Sequence, residues 1–329
     1  MLRYIIKRLL WVIPVMIGVL IIVFTITYFA PGDPVLSKLG SRYTQEMYDQ
    51  LSHEMGLDRS FFEQLWNYFF NFVTKFDLGR SFQTYIPVTT EIATRFPITV
   101  KLGLLEIIVT LIIGLPLGIV SAIKQYSVLD ISLTTFALIV AAIPNYVLAL
   151  LGAIVFGVML KWLPITGLGS VAAWILPVAA NSLSGVAVVT RMTRTTMLEV
   201  IRQDYIRTAR SKGQKESIIL RKHALKNCLI PIVTSVSSMI AMVMAGSIIV
   251  ETIFSIPGIG IYLATGIQSR DYAVVNGCVL LISFVVCILN LLADFVYALI
   301  DPRIKVIYTS DKKKAKAARE ALPENTEVA

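Results

Sequence analysis

Long apolar runs with few charged residues recur along this sequence and strongly restrict what it can fold into. The first run extends from Leu9 to Ala30 without a charge, and a helix of that length crosses the hydrocarbon core of a bilayer. Five further spans are predicted at about 102–123, 131–160, 171–190, 229–250 and 273–293. Because 56% of the residues are hydrophobic and only 16% are charged, the composition excludes an ordinary soluble domain. The sequence therefore predicts an all-α polytopic membrane protein with six transmembrane helices.

Membrane topology explains the formal net charge of +9. Basic residues accumulate in cytoplasmic loops, so Arg3, Lys7 and Arg8 predict a cytoplasmic N-terminus, and six spans bring the C-terminus back to the same side. A nucleic-acid partner is not needed to account for the charge. The chain has three cysteines without paired spacing and two distant histidines, so it is expected to hold no metal.

Four regions follow from the predicted spans. Residues 1–30 are the N-terminus and first transmembrane helix, and 31–98 form an extracellular segment with short amphipathic helices. The core transmembrane domain covers 99–307, includes helices 2–6 and a basic region at 195–227, and precedes a disordered cytoplasmic tail at 308–329.

A helix rich in aromatic residues is predicted within the extracellular segment. Ser60 and Glu63 form a capping box at its start. Its aromatic residues are Phe61, Phe62, Trp66, Tyr68, Phe69, Phe70 and Phe72. Such a helix suits either the membrane–water interface or the core of a small domain, and the sequence leaves both open.

The longest strongly basic segment lies between the fourth and fifth spans. Residues 191–226 contain ten Lys or Arg against three acidic residues, which predicts a cytoplasmic position. Leu198, Ile201, Tyr205 and Ala209 recur at helical spacing and predict one helix with an apolar stripe. Gly213 then predicts a helix end in the left-handed conformation. A second short helix is expected from about Lys215 to Lys226.

Several strings in the chain resemble those of one family. They are DLGRSF (77–82), DYIRTARSKG (204–213), RKHALKN (221–227), VETIFSIPGIG (250–260) and NLLADFVYALIDPRI (290–304). Together they resemble the permease subunits of binding-protein-dependent ABC importers, in the dipeptide and oligopeptide branch. The general coupling motif of these permeases has Glu, Ala, Ile and Pro where this chain has Arg207, Thr208, His223 and Lys226. The substituted motif is similar to the variant typical of the peptide branch.

The resemblance implies a type I importer permease fold with a cytoplasmic coupling helix that docks on an ATPase. The residues that match the coupling motif are Asp204, Tyr205, Ala209, Gly213, His223 and Leu225. The implied partners are a second homologous permease, two ABC ATPase subunits, an extracellular substrate-binding protein or lipoprotein, and membrane lipid. The implied location is the cytoplasmic membrane of a bacterium or archaeon.

The chain is not expected to be an enzyme. It contains no GxxxxGK[ST] loop for the phosphates of ATP and neither HExxH nor GxSxG. ATP and magnesium are therefore expected in the ATPase partners, and no cofactor is expected in this chain.

The leading function is uptake of di- and oligopeptides, and several alternatives stay open. The same architecture imports nickel, metal-chelator complexes or glutathione. An ATPase-independent secondary transporter would carry an inverted repeat and mid-depth charges, neither of which is evident. A membrane receptor or scaffold that transports nothing is a further possibility.

The substrate path is predicted along the fifth span. Small polar and flexible residues there are Thr234, Ser235, Ser238, Met239 and Met242. They either line a wet passage or serve close helix packing, which uses the same small residues. Glu106 in the second span is either a functional carboxylate or a side chain that reaches the outer interface.

A structural brace is predicted near the cytoplasmic end of the sixth span. A carboxylate at Asp294 needs a cation or a proton at that depth. Arg191 and Arg194 leave the fourth span at the same level, three residues apart on one helix face. The hypothesis is that Asp294 pairs with one of them, with Arg191 preferred; otherwise Asp294 reaches interfacial water.

Overall fold

A computed structural model of the chain describes residues 2–40, 42–229, 232, 236 and 248–300, and most of these are helical. The helices are α1 (Leu2–Phe29), α2 (Pro34–Leu39), α3 (Gln45–Glu54), α4 (Phe61–Lys75), α5 (Val88–Ile123), α6 (Val128–Ala142), α7 (Asn145–Gly152), α8 (Val171–Ile201), α9 (Asp204–Ser211), α10 (Glu216–Ile218), α11 (Ile259–Gln268) and α12 (Tyr272–Ile300). Helix α7 continues as a π-helix over Ala153–Met159, and α10 continues as a π-helix over Ile219–Ala224.

Among the described residues, four helical segments are long and apolar enough to cross a membrane. They are Arg8–Phe29, Val88–Ile123, Val171–Ile201 and Tyr272–Ala293. A bent pair made of α6 and α7 brings the number to five if it forms one span. The predicted all-α membrane architecture is thus confirmed. The predicted fifth span at 229–250 lies mostly outside the described residues, so the count of six stays a prediction.

The predicted third span is not one straight helix. Segments Val128–Ala142 and Asn145–Met159 meet at an angle of 98°. Ile143 is extended at the break, with φ −90° and ψ 125°, and Pro144 follows it. A proline disfavours helical geometry in the residue before it and donates no backbone hydrogen bond, so the helix ends here.

Helices α5 and α8 form the centre of the bundle at very close range. A Cβ on Gly114 would lie 3.0 Å from Val189, and one on Gly118 would lie 2.5 Å from the carbonyl oxygen of Thr190. The Thr190 hydroxyl donates to the carbonyl of Gly114 at 3.3 Å. The two glycines, one helical turn apart, therefore let the backbones of α5 and α8 touch, as small residues do in membrane bundles.

The two ends of the bundle differ in chemistry. The basic end is the one at which α5 and α8 end and the basic segment begins. The aromatic end is the opposite one, where α5 begins and the aromatic helix α4 lies. At the aromatic end, α1 packs along α12, and the segment before α5 is attached to the turn that joins α11 and α12. Ser81 donates to Asp271 at 2.5 Å, and Ser37 donates to the carbonyl of Ser269 at 2.9 Å. These bonds hold residues 31–87 against the bundle.

Candidate functional site

The basic segment folds into a compact unit beyond the end of α8. Sequence analysis predicted one continuous helix here, but α8 ends at Ile201 and α9 begins after Gln203, which is extended at φ −71° and ψ 150°. The break rotates the second helix, so Ile206 is fully buried while Tyr205 is 44% exposed. The predicted apolar stripe was therefore wrong at Tyr205, whereas Ala209 is buried as predicted.

Gly213 makes the turn between the two short helices. Its φ is +72°, a left-handed conformation that a residue without a Cβ adopts readily. The Gly213 amide donates to Arg210 at 2.9 Å and the Gln214 amide to Ala209 at 3.3 Å, a common way for a helix to end. No described atom lies within 4 Å of the position of a Cβ. Backbone conformation alone therefore favours glycine, and the predicted turn is confirmed.

We call residues 204–227 the basic unit. Three side-chain contacts join its halves: Arg210 donates to Glu216 at 2.6 Å, His223 Nε2 lies 3.0 Å from Gln214 Oε1, and Asn227 donates to the Tyr205 hydroxyl at 3.1 Å. Hydrogen bonding by Arg210 holds the pKa of the Glu216 carboxyl below its usual value. Exposed pairs contribute little stability singly, but together they fix one orientation of the two halves.

An apolar seat attaches the basic unit to the bundle. The buried side chains that form the seat are Ala122, Met197, Ile206, Ala209, Ile219, Ala224, Cys228 and Ile232. Ala122 belongs to α5 and Met197 to α8, so the basic unit packs on both central helices. Asp204 stands in the first turn of α9, and the half-buried Leu225 follows the π-helix. The basic unit is therefore close-packed against the ends of α5 and α8.

A buried ion pair joins the helices just above this seat. Arg194 on α8 donates to Asp130 on α6 through Nε at 2.6 Å and Nη2 at 2.8 Å. Ser121 on α5 also donates to Asp130, as does the backbone amide of Tyr126 at 2.9 Å. The Asp130 side chain is 2% exposed and that of Arg194 is 22% exposed. One carboxylate thus links α5, α6 and α8.

Sequence analysis missed this pair because its partners are far apart in the chain. It predicted Arg194 or Arg191 as the partner of Asp294 instead. Arg194 is bound to Asp130, Arg191 is exposed, and the side chain of Asp294 lies outside the described residues. The brace between Asp294 and Arg191 stays a prediction. Asp130 lies in the first turn of α6, three residues after the N-cap Ser127, and this capping pattern was the available signal.

Two other predictions concern Glu106 and the residues of the proposed path. Glu106 on α5 is 5% exposed, faces Asn181 of α8, and its Oε2 has no hydrogen-bond partner among the described residues. The carboxylate is therefore enclosed between α5 and α8 rather than extended to a surface. The proposed path residues Thr234, Ser235, Ser238, Met239 and Met242 lie outside the described residues.

The buried carboxylate of Glu251 organises the aromatic end. Glu251 is fully buried, accepts a hydrogen bond from Thr99 of α5 at 2.7 Å, and accepts another from the amide of Ile261 at 3.1 Å. A Cβ on Gly258 would lie 2.5 Å from its oxygens. Glu251 therefore holds the N-terminus of α11 against α5. A negative charge is favoured beside the N-terminus of a helix. Sequence analysis made no prediction for Glu251, because its partners Thr99 and Ile261 are not adjacent to it in the chain.

These features define a multi-pass helical membrane protein with a compact basic unit seated on its central helices. The family model described as binding-protein-dependent transport system inner membrane component matches residues 114–306, and the model for the N-terminal part of such components matches residues 1–103. The chain therefore belongs to the binding-protein-dependent transport system inner membrane component family. The resemblance seen in the sequence is confirmed.

Three relatives match over nearly their whole length. A Brucella abortus protein provisionally named a peptide transport system permease is 38% identical, over 92% of this chain and 98% of the relative. The glutathione transport system permease protein GsiC of Pectobacterium atrosepticum is 37% identical, over 93% and 99%. The dipeptide transport system permease protein DppB of Escherichia coli is 34% identical, over 93% and 99%.

A solved structure shares the fold. The inward-facing MetNI methionine ABC transporter matches with a TM-score of 0.56 and 17% identity, over 64% of this chain and 96% of the matched chain. The chain is thus similar in fold to a chain of a methionine ABC transporter.

Proposed function

We propose that this chain is the translocating subunit of an ATP-driven importer of di- and oligopeptides. Its relatives are named for transport of peptides, dipeptides and glutathione. Glutathione is itself a tripeptide, so the three names share one chemical class. A zwitterionic peptide needs a polar passage, and the predicted path at 234–242 supplies small polar side chains.

The seat of the basic unit is the observation that carries the proposed mechanism. ATP and magnesium bind in separate ATPase subunits, and closure of those subunits pushes the basic unit. Ile206 and Ile219 are fully buried against the bundle, so they transmit this displacement to α5 and α8. The Asp130–Arg194 pair passes it to α6. The bundle then alternates between states that open to opposite sides.

The proposed assembly places the basic end in the cytoplasm of a bacterium or archaeon, with both termini on that side. Two ATPase subunits dock on the basic end, a second homologous permease completes the passage, and an extracellular binding protein delivers peptide to the aromatic end. The concentration of basic residues at 191–226 supports this orientation.

Substrate class is tested by reconstitution of the complete complex in lipid vesicles. We expect uptake of labelled dipeptide that requires ATP and the binding protein, with glutathione and nickel as competing substrates. Replacement of Ile206 by Ser should abolish peptide uptake while the complex still assembles, and Ser211→Ala is the surface control, because Ser211 is exposed on the same helix. Uptake of nickel but not peptide, or ATP-independent uptake, would contradict the proposal.

Topology is tested by labelling intact cells with an impermeant thiol reagent. In a background without the three native cysteines, cysteines at the exposed positions Gln50 and Gln268 should react. A cysteine at the exposed Gln214 should react only after the cells are opened. The reverse pattern would invert the orientation and remove the coupling assignment.

A further inference from the structure

Helix α4 has an apolar face that the protein does not cover. Phe62, Trp66, Phe70 and Val73 are 78%, 64%, 51% and 54% exposed. Their spacing of four, four and three residues places them on one side of the helix. No described residue covers this side, and α4 contains no buried residue. Four large apolar side chains that share one exposed face indicate an interaction surface.

The other sides of α4 are already occupied. Leu65, Tyr68, Phe69 and Phe72 pack against the cluster formed by α1, α5, α11 and α12. The polar residues Gln64, Asn67 and Asn71 line a cavity of about 750 Å³. The exposed face is therefore an additional apolar surface beside the one that packs on the bundle.

The exposed face of α4 continues a surface of α1. Ile22, Ile26 and Phe29 of α1 are exposed and share one helix face by their spacing of four and three. The ring of Phe61 lies 5.8 Å from that of Phe29 and 5.3 Å from that of Phe62. The apolar surface thus runs from α1 onto α4 without interruption.

Helix α1 is long and apolar enough to cross a membrane, so its exposed face meets lipid hydrocarbon. The surface on α4 adjoins it at the end of the span, where tryptophan and other aromatic side chains prefer to lie. Helix α4 has charged residues only at Glu63 and Lys75, near its two ends. Lipid is therefore the occupant that continuity and composition favour.

We propose that α4 lies in the plane of the membrane–water interface, with Phe62, Trp66, Phe70 and Val73 inserted among the lipids of the leaflet at the aromatic end. The helix then anchors the whole segment before α5 to the bilayer surface. The polar face of α4, and the cavity that it lines, point away from the lipid. This proposal rests on the surface of α4 and does not depend on the transported substrate.

The test uses the position of one tryptophan in the assembled transporter. The chain has four tryptophans; Trp11, Trp162 and Trp174 are replaced by Phe, which leaves Trp66 as the probe. The matched control adds Trp66→Phe and Asn67→Trp, which moves the probe by one residue to the polar face. Both proteins are reconstituted with their partners in phosphatidylcholine vesicles with and without dibrominated phosphatidylcholine, and partner tryptophan signal is subtracted.

Brominated lipid should remove roughly half of the Trp66 fluorescence and less than roughly a tenth of the fluorescence at position 67. Equal quenching at both positions would overturn the proposal. Quenching of Trp66 in the isolated chain but not in the assembled complex would also overturn the proposal, since another subunit would then cover α4. As a second measurement, W66S combined with F70S should raise the fraction of segment 31–87 cleaved by protease added to the outer side. No increase over an N67S control would also overturn it.

Discussion

The ion pair between Asp130 and Arg194 is the contact whose removal should most disturb the basic end. Replacing Asp130 by Ala deletes an acceptor that is 2% exposed and leaves Arg194, at 22% exposed, without its carboxylate. It also leaves the hydroxyl of Ser121 and the amide of Tyr126 without an acceptor. The side chains of α5, α6 and α8 lose their shared contact in one step.

The magnitude follows from burial. Breaking one partner of a buried ion pair typically costs about 3–5 kcal/mol. Because the Arg194 side chain keeps partial access to water, we expect a loss near the lower end, about 3 kcal/mol in the free energy of unfolding. Asp130→Asn keeps the shape and one acceptor oxygen, so it should lose about half as much.

The assay is reversible unfolding of the purified chain in mixed micelles, followed by helical circular dichroism. Asp130→Ala, Arg194→Ala and the double variant form a double-mutant cycle. The loss of unfolding free energy in the double variant should be smaller than the sum of the two single losses by about 2 kcal/mol or more. Arg202→Ala is the matched control, because Arg202 is exposed at the end of the same helix, and it should stay within about 0.5 kcal/mol of the wild type. Strictly additive losses, or an Asp130→Ala variant as stable as the control, would refute the reasoning.

Three further changes test the turn at Gly213, the close contact of α5 and α8, and the carboxylate of Glu251. Gly213→Val should cost about 1–2 kcal/mol locally because φ is positive at this position, and it should lower peptide-stimulated ATPase activity in the assembled complex. Gly213→Asn should be tolerated. Normal stimulation of the ATPase in the Val variant would count against the role of the turn. Gly118→Ala should lower the unfolding free energy by about 1–3 kcal/mol, because a Cβ would lie 2.5 Å from the backbone of α8. Gly18→Ala is the neutral control, because Gly18 has open space around it. Equal stability of the two variants would reject the close packing of α5 and α8. Glu251→Ala should cost about 1–3 kcal/mol and increase hydrogen exchange at the start of α11, and Glu251→Gln should do less; unchanged exchange would remove the anchoring role.

Much of the architecture could be predicted because it depends on local composition. Uncharged runs such as Leu9–Ala30 specify membrane helices wherever they occur. A basic segment with a glycine at Gly213 specifies a turn, since only the backbone of that residue decides it. The family strings are likewise contiguous, and the predicted family was confirmed over nearly the whole chain.

Other features depend on which helices become neighbours, and the sequence alone does not state this. The helix is broken at Arg202 and Gln203, and helical spacing counted across a break assigns the wrong face. The buried residue is therefore Ile206 and not Tyr205, which the spacing had predicted. Proline 144 was visible in the sequence, but the 98° bend that it permits depends on what α6 and α7 pack against.

Charged residues show the same division. The sequence indicated that the carboxylate of Asp294 needs a cation at its depth, because an unpaired charge there is costly, and it offered Arg191 or Arg194. Only the tertiary structure decided that Arg194 pairs with Asp130, 64 residues earlier. The attraction between two charges depends on their distance in space, and that distance is set by the close contact of α5 and α8 at Gly114 and Gly118 and by the packing of α6 beside them.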